Sequence, residues 1–180
     1  MLNRVLVAAL VLLLISPALV VPNEPTQPVT SHDDVKDITT VSTRETEFET
    51  YYVRYFYRAS YTHPGKKKAP PEPKSVLFKM KEAHSDRKEW DEVNRVYFKY
   101  GSNRRNYPVL RYEVSSSDTA GFSAHLETIY FRIPVEDYMA ITSSKSFICQ
   151  INDKNYTFQG EYLTALKKLA DTILIPKKKS

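Results

Sequence analysis

The chain has 180 residues, 42% of them hydrophobic, with 26 Lys+Arg against 21 Asp+Glu, 11 Pro, 4 Gly and one Cys. This is room for one domain with a tail or linker beside it. The single Cys excludes an intrachain disulfide framework and any Cys-rich zinc site, and 13 Tyr with 8 Phe demand a core or a binding face.

Residues 1–18, MLNRVLVAALVLLLISPA, have the three parts of an export signal. Arg4 supplies the positive start and Val5–Ile15 the apolar run; Ser16, Pro17 and Ala18 fit a cleavage site after Ala18. An uncleaved membrane anchor is the rival, because the apolar stretch reads on through Val21 to the lower length limit for spanning a bilayer. No Cys follows the run, so a bacterial lipoprotein attachment is excluded. An exported chain does not suit a nucleic-acid role despite the basic pI of about 9.1. The lone Cys149 must then be buried or face an oxidising compartment; its setting in Phe147–Ile151 alternates like a strand, which favours a small buried hydrophobe.

Residues 19–48 are expected to be a disordered, acidic Pro/Thr linker, rich in Pro and Thr and without sustained periodicity. Residues 22–49 hold seven acids and two bases. Arg4 is the sole charge before them, so residues 50–180 carry a net +9 within the chain's +5. That asymmetry suggests an interaction surface on the domain, although simple solubility also explains it.

Residues 49–174 read as a single β-rich domain. The first strand is 49–61, rich in Tyr, with Tyr51, Tyr55 and Tyr57 on one face and Tyr52 and Phe56 on the other. Such a stripe suits sheet packing or a stacking platform. His63–Lys74 follows as an exposed loop dense in Pro and carrying Lys66, Lys67 and Lys68. Strands are expected at 75–81, 95–100, 109–115 and 122–133, with a charged helix or long connection at 82–94, a turn-like segment with Arg104 and Arg105 at 101–108, and a loop at 115–121. Pro134 fits the first position of a short helix over 135–141, with Glu136 and Asp137 in its favourable first turn. A hairpin of 145–151 and 156–158 turns at Asn152–Asn155. An amphipathic helix over 161–174 closes the domain, and residues 175–180 form a basic tail with Lys177, Lys178 and Lys179. The fold class predicted is α+β: an antiparallel, twisted or sandwich-like sheet of six to seven strands, with a short helix and a C-terminal amphipathic helix packed on it.

No constellation of catalytic residues stands out. His32, His63, His84 and His125 form no H-x-x-x-H pair. His125 and Glu127 are two apart on one strand and share a face. They fit a base with its orienting carboxylate, two ligands of a metal, or a plain polar face with a cross-strand hydrogen bond. Glu82, Asp86, Glu89, Asp91 and Glu92 alternate with bases and fit a solvated charged segment as well as a carboxylate site. No Ser stands in a G-x-S-x-G nucleophile elbow, and Ser143-Ser144-Lys145 is not the S-x-x-K spacing. Asn155-Tyr156-Thr157 is a formal glycosylation sequon, relevant only to a eukaryotic secretory pathway. The residues ask for no cofactor and no metal.

The order Tyr130–Pro134, Tyr138–Ile141, Ser143–Ser146, Phe147–Phe158 and Glu161–Leu174 resembles a pattern recurring in poorly characterised bacterial exported proteins of unknown function. In that pattern a strand runs through a hydrophobic-Pro step into a short helix, then a small-residue turn, a hairpin and a closing helix. The resemblance covers roughly residues 122–174. It implies a bacterial envelope setting, periplasmic or secreted, and it brings no catalytic residues with it.

The leading expectation is an exported, non-catalytic module that contacts a protein partner or an anionic envelope component through Lys66–Lys68, Arg104, Arg105 and Lys177–Lys179. Two others stand beside it: a secreted enzyme with a site assembled around His125 and Glu127, and a structural subunit of a larger envelope assembly.

Overall fold

The computed structural model describes residues 27–49, 54–66, 73–84, 90, 93–119 and 122–173. Among the described residues ten strands form one open antiparallel sheet. They are β1 (Val29–Asp33), β2 (Ile38–Ser42), β3 (Thr46–Glu49), β4 (Arg54–Pro64), β5 (Ser75–His84), β6 (Arg95–Tyr100), β7 (Asn103–Thr119), β8 (Phe122–Pro134), β9 (Phe147–Ile151) and β10 (Lys154–Phe158). The helices are α1 (Val135–Ser143) and α2 (Gly160–Ala170). The strand order is β1-β2-β4-β5-β8-β7-β6-β9-β10, with β3 added beside β4.

The α+β class and antiparallel pairing expected from the sequence are those of the structure, but the strand count is ten instead of six to seven. The excess lies in residues 29–49, expected to be a disordered linker. The runs Val29–Asp33 and Ile38–Ser42 are rich in β-branched residues and pair as a hairpin, with β2 continuing onto β4. Asp33 starts its turn: its carboxylate accepts the backbone N–H groups of Val35 and Lys36 at 3.0 and 3.2 Å. Asp37 closes the turn at φ +50, a conformation Asp tolerates better than most residues. Val41 joins the main core, and Thr39, Ser42 and Thr43 are also buried. Net charge and Thr content pointed to disorder; burial along β2 overrides them.

Two smaller differences follow from β7. Residues 103–108 of the turn-like segment and 115–119 of the Ser-rich loop belong to this one strand of 17 residues. Its first part pairs with β6 through Arg95↔Pro108, and its remainder pairs with β8 from Val109 onward. The register shifts between Val109 and Arg111. A bulge beside a proline, which has no N–H for the ladder, is where a strand bends most readily. β7 therefore turns the corner between two parts of the sheet.

Beyond that corner the sheet folds back over itself. The inner positions of β6, β9 and β10 place Phe98, Phe147 and Phe158 in a row, with ring centroids 5.4 and 4.4 Å apart. They meet Phe78 of β5, Phe131 of β8 and Tyr57 of β4, with centroid distances of 6.1, 5.8 and 5.1 Å. Each such ring contributes about 1.5–3 kcal/mol on full burial. Tyr57 is buried and Tyr55 packs on Tyr156, so these two members of the tyrosine stripe are core side chains.

α1 and α2 pack against each other, α1 also against β5 and β8, and α2 against β4. Pro134 stands at the N-cap of α1, one position earlier than predicted. Leu163, Leu166, Leu169 and Ala170 form the buried stripe of α2. Tyr57 and Tyr138 donate their hydroxyls to the Tyr162 and Leu166 carbonyls at 2.6 and 2.8 Å. Among the described residues no helix is long and apolar enough to cross a membrane. The expected export signal or anchor and the basic tail lie outside the described residues.

Candidate functional site

Two places on this frame gather polar side chains: a buried carboxylate pair inside the fold, and a basic outer face.

β5 and β8 are paired through Val76↔Ile133, Phe78↔Phe131, Met80↔Ile129 and Glu82↔Glu127. A period of two puts all eight side chains on the inner face. Two apolar columns thus end in two facing carboxylates, both without exposed surface. Directly opposed residues have Cβ atoms about 4.5–5.5 Å apart.

Each acid is held by donors from other elements. Glu127 accepts the Trp90 backbone N–H at 3.0 Å and the Tyr112 hydroxyl at 2.5 Å. Glu82 accepts the Lys154 ammonium at 2.8 Å and the Tyr156 hydroxyl at 2.9 Å. The Trp90 indole N–H in turn donates to the Tyr156 oxygen at 3.0 Å. Burial, reinforced by the adjacent Glu82 charge, pushes the Tyr156 hydroxyl far above its ordinary pKa, so it stays a donor. This network ties β5 and β8 to β7, β10 and Trp90. Burying a carboxylate costs several kcal/mol unless partners compensate it; Glu82 has the Lys154 ammonium and the Tyr156 hydroxyl, and Glu127 has the Trp90 N–H and the Tyr112 hydroxyl.

The sequence-predicted candidates divide across this site. Glu127 is in it, and Glu82, expected in a solvated charged connection, is its partner near the C-terminal end of β5. His125 lies on the same strand face but further out, half-buried, with its Nδ1 2.8 Å from the Ser116 hydroxyl. Cys149 is fully buried with its Sγ 3.6 Å from Met80 Sδ, and burial pushes its thiol pKa well up. Among the described residues no group of three or more His, Cys, Asp or Glu side chains is arranged to hold a metal.

The second place is the outer face of β7, β6, β9 and β10. The same alternation that sends Val96, Phe98 and Tyr100 inward sends Arg95, Tyr97 and Lys99 outward. Cross-strand neighbours extend the face: Tyr97 lies between Asn106 and Gln150, and Lys99 between Arg104 and Ile148. Asn155 and Thr157 complete it on β10. No carboxylate occupies an outward position on β6, β9, β10 or the 103–108 part of β7 that pairs with β6; Glu113 lies further along β7 beside Arg111 and Tyr130, and Asp153 sits in the β9–β10 turn. Among the described residues Arg95, Lys99 and Arg104 form no ion pair, whereas Arg105 lies 3.6 Å from Asp137 of α1. A hollow of about 350 Å³ is lined by Tyr97, Arg104, Arg105, Asn106, Gln150 and Asn152. An adjoining one of about 250 Å³ shares Tyr97, Arg104 and Gln150 and adds Lys99 and Asn155.

Of the predicted basic residues, Arg104 and Arg105 line this hollow. Lys66 instead pairs with Asp34 at the β1–β2 turn, 2.6 Å away. Lys67, Lys68 and Lys177–Lys179 lie outside the described residues. Sequence reasoning missed Tyr97, Lys99, Asn106 and Gln150. The signal was the strict alternation of RVYFKY, in which Arg95, Tyr97 and Lys99 share one side.

No family model, no curated protein and no solved structure matches this chain.

Proposed function

We propose that the chain is an exported, non-catalytic interaction module of the cell envelope that contacts an anionic component through the outer face of β7, β6, β9 and β10. One observation carries this reading: Arg95, Lys99 and Arg104 emerge side by side on the paired segments 95–100 and 103–108, which hold no carboxylate. Like-signed charge on a rigid sheet produces a lasting local potential, because the backbone ladder fixes the spacing. The export-type N-terminus and the resemblance to bacterial exported proteins support the envelope setting. The inward-facing acids are closed from solvent and held by donors, which suits a clamp on the fold.

A direct test is charge reversal at two exposed positions, Lys99→Glu with Arg104→Glu. Retention on immobilised dextran sulfate at low salt is expected to fall by about tenfold or more, with the unfolding midpoint unchanged. Equal retention by the variant contradicts the reading.

A second reading, an enzyme centred on Glu127, is favoured by one observation: a second carboxylate, Glu82, stands directly across from it. Facing carboxylates are the raw material of acid–base chemistry. Any turnover by this chain that is lost in Glu127→Gln while the fold is kept would move the reading there.

A further inference from the structure

We infer that the hollow around Tyr97 is a binding site for an acidic polysaccharide, one whose sugar units carry carboxylates. This deepens the proposed envelope contact and rests on it, adding the chemical class of the ligand.

The side chains in the hollow are of three kinds, and each matches one part of such a polymer. Tyr97 is a large aromatic ring left 41% exposed in the middle of a sheet face, between Asn106 and Gln150. A half-exposed ring on a rigid strand offers an apolar, electron-rich face at little entropic cost, which suits the C–H face of a pyranose. Around it stand the carboxamides of Asn106, Gln150 and Asn152. A carboxamide presents a donor and an acceptor side by side, the pattern that neighbouring hydroxyls require. Arg95 donates to the Asn106 side-chain oxygen, which holds that amide in place with its nitrogen as the remaining donor. The third kind is the guanidinium of Arg104, whose fork geometry matches a carboxylate bidentately.

Shape points the same way. The hollow and its neighbour adjoin along the face and share Tyr97, Arg104 and Gln150. Two connected subsites on either side of one ring suit successive units of a polymer. A lipid surface asks for something different: protruding cations with apolar groups beside them to enter the interface. Here the aromatic ring lies in a concavity ringed by amides.

The test is calorimetric titration of the purified full chain with three probes: a uronate oligomer (oligogalacturonate or a hyaluronate oligomer), a neutral glucose oligomer of equal length, and phosphatidylglycerol vesicles. The uronate oligomer is expected to bind and the neutral one to bind far more weakly. Tyr97→Ala should weaken uronate binding about fivefold or more, Tyr97→Phe should keep it, and Arg104→Gln should lose most of the preference for charge. Both positions face outward, so an unchanged unfolding midpoint serves as the control for folding. Binding that ignores Tyr97→Ala overturns the inference, and so does binding to vesicles without binding to either uronate. If dextran sulfate retains the chain while the uronates do not bind, the saccharide assignment falls and the anionic contact stands. If none of these ligands is held, both fall.

Discussion

Glu82 and Glu127 sit where hydrophobic residues would be expected. The alternation Val76, Phe78, Met80 reaches Glu82 at the same period of two, and Ile133, Phe131, Ile129 reaches Glu127. Parity alone therefore placed both acids on the inner face. Their burial was masked by composition, since Glu82 opens a run dense in charge. What makes the burial tolerable is Tyr156, which accepts from Trp90 and donates to Glu82. Tyr156→Phe removes that link and strips a donor from a buried carboxylate. It is expected to lower stability by about 2 kcal/mol in urea unfolding, the usual penalty for a buried polar group losing its partner. A change within about 0.5 kcal/mol would mean that the hydroxyl is not part of the clamp. The same variant bears on the enzymatic reading, because a clamp residue alters stability whereas a catalytic one alters turnover.

At the scale of elements, the instructive case is the hairpin of β1 and β2. Strands in the middle of the sheet announced themselves through aromatic and β-branched alternation, and their expected and observed bounds nearly coincide at Arg95–Tyr100. β1 and β2 are short, Thr-rich and flanked by acids, so local composition resembled a solvated leash. Their stabilisation comes from distant residues: Thr39 donates to the Gly65 carbonyl at 2.6 Å, and Thr43 and Ala59 bond in both directions at 2.9 and 3.1 Å. Such contacts cannot be seen in a window of ten residues. The consequence is measurable with Val41→Asp, which puts a charge into a side chain left only 7% exposed. It should destabilise the whole domain by about 2–4 kcal/mol. Thr30→Asp on the exposed edge strand should stay within about 0.5 kcal/mol. If both variants unfold like the parent chain, residues 29–49 do not belong to the cooperative unit.

For the molecule as a whole, charge and fold are coupled through β7. The bend at Pro108 and the bulge that follows turn β6, β9 and β10 inward, so that their aromatic side packs on β4, β5 and β8. The same bend leaves the opposite side of those strands facing out with its Arg, Lys and amide residues. Net charge was legible from the sequence, as was the adjacency of Arg104 and Arg105, which line the hollow. Their companions were not, because strands distant in sequence, β6 at 95–100 and β9 at 147–151, are neighbours only through the sheet order. The most direct measurement is the affinity of the purified chain for an anionic envelope polymer across a salt series. Contact through Arg95, Lys99 and Arg104 predicts that the association constant falls by about tenfold or more between roughly 0.05 and 0.3 M salt, as screening shortens the reach of the face. An affinity that stays level over that range, or no binding at the low end, would contradict the account.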